Sequence, residues 1–337
     1  MIPGIRTTPI LDVRSPGEYA QGHVPGAVSF PLFSDEERAA VGIRYAKSGP
    51  RDARLLGLRF VGPRLEEMAR RAIALAPKGE LSLYCWRGGE RSASVAWLLE
   101  GVGLKVDRLE GGYRAWRRLA LAELGAEREC VVLSGPTGSG KTKVLRALRE
   151  RGEQTVDLEA LANHRGSAFG GLGLPPQPTD EQFGNELAVL LARTDRKRRL
   201  WIEDESRNIG RVTLPQEFWA AKSGAEVVRI EPDRDRRLRL LTEEYAAFPR
   251  EELRACFERI SRRLGAVDTA RCLEALDAGN PALAADRVLA YYDKGYRRSA
   301  ECNQAAKEAA VFRTGTMSPE EIADLLLAET DSHNKDG

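Results

Sequence analysis

The chain has 337 residues, 42% of them hydrophobic and 30% charged, with 52 Lys and Arg against 50 Asp and Glu for a formal net charge of +2. Such totals describe a globular chain long enough for two or three domains. They exclude a globally basic nucleic-acid binder, so any RNA-facing surface has to be local. No run approaches about 18 uncharged apolar residues, and Met1-Ile-Pro-Gly4 lacks the basic and apolar regions of a signal peptide, which points away from a membrane and towards the cytoplasm. The cysteines at 85, 130, 256, 272 and 302 are widely spaced and form no C-x-x-C pair, so neither a disulfide framework nor a zinc knuckle is indicated. With His23, His164 and His333 as the only histidines, a histidine-rich metal centre is not expected.

In chain order, Pro9 to Val13 reads as a strand ending in Asp12 and Arg14, and Ser15-Pro-Gly-Glu18 as a capped helix start. His23 to Phe30 is a turn leading into a second short strand. Residues 33 to 60, rich in Arg and Lys, look like an insertion of helix and loop. A helical apolar pattern runs from Arg64 to Leu75. Leu81 to Cys85 is a strand, Ser94 to Leu99 a helix, Val106 to Leu109 a strand and Tyr113 to Leu121 a helix. Strands alternating with helices imply a mainly parallel α/β sheet.

The chemistry of this half sits at Cys85-Trp-Arg-Gly-Gly-Glu-Arg91-Ser92. A cysteine at a strand end, followed by a glycine-containing turn and a helix start, meets backbone N–H groups that favour the nucleophilic thiolate. Arg87 and Arg91 add charge and paired donors for an oxyanion. The other cysteines have no comparable surroundings and read as packing residues.

Together with Leu11-Asp-Val-Arg14 and Glu18, Gly22-His-Val-Pro-Gly-Ala27 and Gly111-Gly-Tyr-Arg-Ala-Trp116, this loop makes residues 5–122 resemble a rhodanese domain. The resemblance implies that Cys85 carries sulfur or selenium as a persulfide or perselenide. One feature departs from it. The compact rhodanese loop is C-x4-R, whereas Cys85 and Arg91 are spaced C-x5-R, as in the rhodanese-like phosphatases. The wider cradle suits a tetrahedral phosphate-sized group. It leaves phosphatase chemistry, or docking of a chalcogen-donating phosphate such as selenophosphate, open beside chalcogen transfer.

Residues 122–128 read as a joint, and 128–330 as a second α/β domain with C-terminal helices. Gly135-Pro-Thr-Gly-Ser-Gly-Lys141-Thr142 fits G-x-x-x-x-G-K-[ST], with the apolar strand Cys130 to Ser134 before it and a helix after it. The backbone at Gly135, Thr137, Gly138, Ser139 and Gly140 cradles phosphate oxygens, Lys141 meets the terminal phosphates, and Thr142 meets a metal where one is used. Gln154 to Leu158 is a further strand, carrying Asp157 near its end. Asn163-His-Arg-Gly-Ser167 and the Gly/Pro-rich run 169–178 follow, too polar and broken for a core. They suit a loop over the phosphate site, with His164 and Arg165 as candidate ligand contacts. Arg199 to Glu203 is an apolar strand ending in Glu203, Asp204, Glu205 and Ser206, where a strand-end acid orients metal or water. Which acid acts is not legible, no metal is certain, and Mg2+ is compatible. Glu226 to Ile230 is the next strand. Basic clusters at 193–199, 234–239 and 258–264 are candidate phosphate or RNA contacts. Two more helices span 271–283 and 284–296, and the chain frays from about Glu329.

The order of the two halves, with Tyr84-Cys-Trp-Arg-Gly-Gly89, Ser134 to Thr142, Asn163 to Ser167, Ile202-Glu-Asp-Glu-Ser206 with Ile209-Gly210, and Tyr291-Tyr-Asp293 with Tyr296, resembles the bacterial tRNA 2-selenouridine synthase family over nearly the whole chain. That resemblance implies geranylation of wobble 2-thiouridine in tRNA from geranyl diphosphate, followed by replacement of the S-geranyl group with selenium from selenophosphate. It also implies a selenophosphate-supplying enzyme as a partner. Fold alone hosts other chemistry. A sulfurtransferase or phosphatase coupled to a P-loop ATPase, and a nucleotide-switched binding module, are the alternatives. The intact Cys85 and Arg91 count against the last.

Overall fold

The computed structural model describes residues 8–302 and 308–333. The first stretch of chain forms β1 (Ile10–Asp12), α1 (Pro16–Gln21), β2 (Val28–Ser29), α2 (Asp35–Val61), α3 (Leu65–Leu75), β3 (Glu80–Tyr84), α4 (Glu90–Gly101), β4 (Lys105–Arg108) and α5 (Gly112–Leu124). Next come β5 (Cys130–Ser134), α6 (Lys141–Glu150), β6 (Gln154–Val156), α7 (Leu158–Ala162), α8 (Asp180–Ala192) and β7 (Leu200–Glu203). The chain continues through β8 (Asn208–Ile209), β9 (Val212–Thr213), α9 (Gln216–Ser223), β10 (Glu226–Pro232), α10 (Arg234–Ala246) and α11 (Arg250–Leu264). Then α12 (Ala266–Asp277), α13 (Pro281–Cys302), β11 (Glu308–Gly315) and α14 (Pro319–His333) close the described chain. Among the described residues no helix is long and apolar enough to cross a membrane.

Two compact units result, one of residues 1–124 with 179–193, the other of 125–178 with 194–337. In the first, four parallel strands run in the order β2-β1-β3-β4. Its core is Leu11, Val13, Phe30, Leu81, Leu83, Val95 and Leu99 with the helical Met68 and Ala72. The Arg-rich insertion is α2, broken at Gly49 (φ 82°) ahead of Pro50, because proline cannot accept the helical neighbour geometry. The segment 179–193, which sequence order places in the second domain, belongs to this first unit. Thr179 caps α8, and the helix packs along α5. Asn185, fully buried, donates to the His23 carbonyl (2.9 Å) and Tyr113 hydroxyl (2.8 Å) and accepts from Arg117 (2.7 Å). A buried amide so completely used fixes where the helix sits.

The second unit carries five parallel strands in the order β11-β10-β5-β7-β6. Val131, Leu133, Val144, Leu148, Trp201, Val228 and Ile230 fill its core with Ile322 and Leu326 of α14. Helices α10 to α13 make a separate apolar cluster around Leu253, Phe257, Cys272 and Val288. Three expectations change here. Asp157 and Leu158 leave the strand, since Asp157 is the N-cap of α7, accepting from the Ala160 N–H at 2.8 Å. The Gly/Pro-rich run is not free of core, since Phe169 is 2% exposed and meets Phe257 edge-on at 4.9 Å between ring centres. Helical order continues to His333 rather than stopping near Glu329. The Cys302 side chain and residues 1–7 and 334–337 lie outside what is described.

Candidate functional site

Cys85 follows β3 directly, and its loop is closed by the start of α5. Tyr113 N–H donates to the Cys85 carbonyl (2.9 Å) and Arg114 N–H to the Trp86 carbonyl (3.0 Å). Gly112 sits at φ 61°, and a methyl group there would overlap the Cys85 carbonyl oxygen, so only glycine permits the closure. The sulfur is nearly buried, 3% of the residue being exposed, and its thiol donates to Ser92 Oγ at 3.2 Å. Ser92 Oγ in turn donates to the Gly89 carbonyl at 3.0 Å. Burial pushes the Cys85 thiol up, but the Ser92 hydroxyl, the backbone N–H groups of Ser92 and Arg87 and the charge of Arg91 outweigh it, leaving the pKa below the ordinary value. Burial, helped by a neighbouring acid and opposed by an arginine in each case, pushes Cys130, Cys256 and Cys272 the other way. Of these four thiols Cys85 alone is held below its ordinary value, which makes it the candidate nucleophile.

Arg91 does not stand free in this cradle. Its guanidinium binds Glu18 at 2.6 and 3.3 Å, and Glu18 also accepts from the Ser15 N–H at 3.1 Å. Arg87 is exposed. Beneath the loop lies a buried polar network: Arg14 donates to Asp12 (2.7 Å) and to the Gly22 carbonyl (2.6 Å), and the Tyr84 hydroxyl donates to Asp12 (2.8 Å). The Arg14 guanidinium lies 3.9 Å from the Tyr113 ring centre. These residues support the loop rather than face a substrate. Ser92, which the sequence strings include without a role, and Glu18, expected there only as part of a capped helix start, are the hydrogen-bond partners of Cys85 and Arg91.

In the second unit the phosphate loop joins β5 to α6, with Gly138 (φ 76°) and Gly140 (φ 81°) in the left-handed region that turns N–H groups inward. Ser139 is buried, and its Oγ has no hydrogen-bond partner among the described residues. Lys141 Nζ donates to the Gly135 carbonyl at 3.2 Å. Burial works against its charge, yet Glu205, Glu203, Glu159 and Asp204 hold its pKa above the ordinary value. Arg237, from α10, clamps the loop by donating to the Thr137 carbonyl at 2.9 Å while pairing with Asp293.

The three strand-end acids part company. Glu203, fully buried, accepts from Thr142 Oγ1 at 2.9 Å. Asp204 turns to Ser134 (2.7 Å) and Lys222 (3.1 Å), which keep its pKa low against burial, and Ser134 also meets Tyr296 at 3.0 Å. Glu205 joins Glu203 and Glu159, and the three present oxygens within 4.8 Å of one another. Burial first, then mutual repulsion, pushes Glu203 up to about 7 and Glu159 up to about 9, and raises Glu205, with Lys141 opposing. Clustered hard oxygen donors short of positive charge beside a P-loop threonine fit a divalent cation. Sequence reading missed Glu159, because Leu158-Glu-Ala-Leu-Ala162 shows nothing beyond a short helix.

Arg165 and Ser206 are spent within their own loops. His164 lies against Gly170 and Gly210, its pKa lowered by burial, Arg259 and Arg165. Arg165 donates to the Leu172 carbonyl at 2.9 Å, holding its own loop, while Gly166 passes close to Glu205 and Glu159. Tyr292 accepts from the Ala168 N–H at 3.1 Å. Ser206 donates to the Asn208 carbonyl in the β8–β9 hairpin. Of the basic clusters, Arg199 pairs with Glu153, Arg234 with Asp286, and Arg237 with Asp293.

Comparison with known proteins places both units. The family model of the tRNA 2-selenouridine synthase AAA domain matches residues 128–329, and that of the rhodanese-like domain matches residues 3–119. The tRNA 2-selenouridine synthase of Sulfurovum sp. (strain NBC37-1) is 39% identical over 261 residues, 75% of this chain and 70% of that protein. That of Hydrogenovibrio crunogenus is 37% identical over 295 residues, 81% of this chain and 80% of the relative. The Chromohalobacter salexigens protein of the same name is 35% identical over 327 residues, 87% and 88% of the two chains.

Proposed function

The chain belongs to the tRNA 2-selenouridine synthase family, and on that premise we propose that it converts 2-thiouridine at the wobble position of tRNA to 2-selenouridine in two steps. The observation that carries the reading is the pairing, in one chain, of a thiol held below its ordinary pKa with a phosphate loop backed by acids. In the first step the 2-thio sulfur attacks C1 of geranyl diphosphate. The S–C1 bond forms, the C1–O bond breaks, the base loses its N3 proton and diphosphate leaves. Lys141 and the N–H groups of Gly138, Ser139 and Gly140 offset charge growing on that leaving group. Thr142, Glu203, Glu159 and Glu205 would hold Mg2+, which when bound supplies further neutralisation of the diphosphate.

Alkylation converts the sulfur into a good leaving group. In the second step selenium from selenophosphate forms the C2–Se bond, the C2–S bond breaks and geranyl thiol departs. The phosphorus ends as inorganic phosphate with an oxygen from water. In this step the Cys85 thiolate, kept nucleophilic by Ser92 and the loop N–H groups, forms an S–P bond with selenophosphate as the P–Se bond breaks. That frees the selenide that attacks C2, and water then cleaves the S–P bond. A selenophosphate-forming enzyme would supply the donor.

Separate variants test the division of labour. Cys85→Ser should abolish selenation and leave geranylation of 2-thiouridine tRNA intact. Lys141→Ala should block geranylation yet still selenate tRNA supplied already geranylated. Equal loss of both steps in either folded variant would sink the two-site reading. The alternative, a sulfurtransferase or phosphatase coupled to ATP hydrolysis, draws on the same cluster of Glu203 and Glu205 beside Lys141, and steady ATP turnover without a change in tRNA would favour it.

A further inference from the structure

A cavity of about 260 Å3 opens in the second unit between α10, the first turn of α6 and the residues that begin α14. Lys143, Arg236, Arg239, Glu243, Leu240 and Ser318 are among its walls. Three are cations and one is an acid. Arg236 is 7% exposed, and its Nη1 is buried without a hydrogen-bond partner among the described residues. Burial, then the like charge of Arg239, lowers its pKa, while Glu321 and Glu320 pull the other way. Glu321 is already committed, since it accepts from the Ser318 N–H at 2.7 Å in the cap of α14. Lys143 and Arg239 are exposed and have no ion-pair partner among the described residues. A guanidinium withdrawn from water with an unused donor lacks an anion. The N-terminus of α14 favours negative charge at the same wall.

The cavity adjoins the phosphate loop. Leu240 comes within 3.6 Å of where a side chain would begin at Gly140, and the neighbouring Arg237 donates to the Thr137 carbonyl at 2.9 Å. Three cations make it a poor berth for a terpenyl chain, and among the described residues no aromatic ring lines it to stack a free base. We propose that this cavity is a second anion subsite, which receives a backbone phosphate of the tRNA beside the nucleotide being alkylated. Arg236 offers its unpartnered Nη1 donor and its charge to the phosphodiester, while Lys143 and Arg239 act as mobile charges at the rim. Holding a flanking phosphate here brings the 2-thio sulfur up to a diphosphate ester seated on Lys141. The inference rests on the tRNA-modifying reading.

The test compares the full-length protein with Arg236→Gln and, because a buried change can harm folding, with the rim double variant Lys143→Gln and Arg239→Gln. Affinity for 2-thiouridine tRNA is measured by filter binding over a salt series, alongside binding of inorganic diphosphate and of ATP. Each lost phosphate contact should lower tRNA affinity by about tenfold and flatten the log–log salt slope by about 0.7–0.9, with diphosphate affinity unchanged. Unchanged tRNA affinity and slope in both variants would overturn the proposal. So would loss of ATP or diphosphate affinity with tRNA binding intact, which would assign the cavity to the ligand of the phosphate loop. A wild-type protein that binds no tRNA refutes the tRNA reading itself, and the subsite with it.

Discussion

Replacing Ser92 by alanine removes the hydroxyl 3.2 Å from the Cys85 sulfur while leaving the Ser92 and Arg87 N–H groups in place. When Cys85 is a thiol, the Ser92 hydroxyl donates to the Gly89 carbonyl. Stabilising the thiolate requires that hydroxyl to turn and donate to sulfur. A hydrogen bond to a charged group contributes about 1.5–3 kcal/mol, and the bond given up at Gly89 costs about 1 kcal/mol. The difference, about 0.5–2 kcal/mol, centres on roughly one pKa unit. Ser92→Ala should therefore raise the Cys85 pKa by about one unit and slow its alkylation by iodoacetamide about tenfold at neutral pH. The assay is the pH profile of modification at the Cys85 peptide, read by mass spectrometry. The two proteins should converge at alkaline pH, where both are thiolate. A deficit that persists at alkaline pH, or an unchanged profile, would refute this account of how the thiol is activated.

The acid cluster predicts an unusual stability profile. Glu203 and Glu159 have folded-state pKa values of about 7 and about 9 against an ordinary 4.5, so their stabilising protonated forms are fully present below pH 4.5 and are lost as pH rises through those values. The melting temperature without divalent cation should therefore fall between pH 5 and 9, less steeply in Glu203→Gln, and Mg2+ should raise it more at the alkaline end; calorimetry showing a flat profile with no Mg2+ effect would contradict the cluster. Asn185→Ala strands the His23 carbonyl and Arg117, leaves the Tyr113 hydroxyl with Glu181 alone, and should cost about 2–4 kcal/mol in urea unfolding, whereas a loss under 1 kcal/mol would mean α8 is held by other contacts. Gly112→Ala should destabilise by about 2–4 kcal/mol, combining overlap at the Cys85 carbonyl with a left-handed backbone, and should slow Cys85 alkylation even where it folds.

Both reactive loops were legible because each is local. A strand, a glycine-bearing turn and a helix start lie within a dozen residues, so Gly135 to Thr142 and Cys85 to Ser92 announce their backbone geometry directly. What stayed hidden depends on partners far along the chain. Glu159 joins Glu203 across 44 residues through the β6–β7 pairing, and Glu18 meets Arg91 across 73. Neither pairing leaves a local pattern. The placement of α8 in the first unit is of the same kind, since amphipathic spacing says that a helix buries a face but not against what. Phe169 misled for another reason. Glycine and proline around it signal an irregular backbone, and an irregular backbone can still deliver one aromatic ring into a core. The strand at 308–315 lacks strict alternation and was passed over, though its pairing with β10 completes the sheet.

The most direct test of the central claim is nucleoside mass spectrometry after incubating the protein with 2-thiouridine tRNA, geranyl diphosphate and selenophosphate, omitting one component at a time. The account predicts S-geranyl-2-thiouridine when selenophosphate is left out, and 2-selenouridine when all components are present. Unmodified tRNA in every arm, with ATP consumed in a parallel reaction, would contradict it.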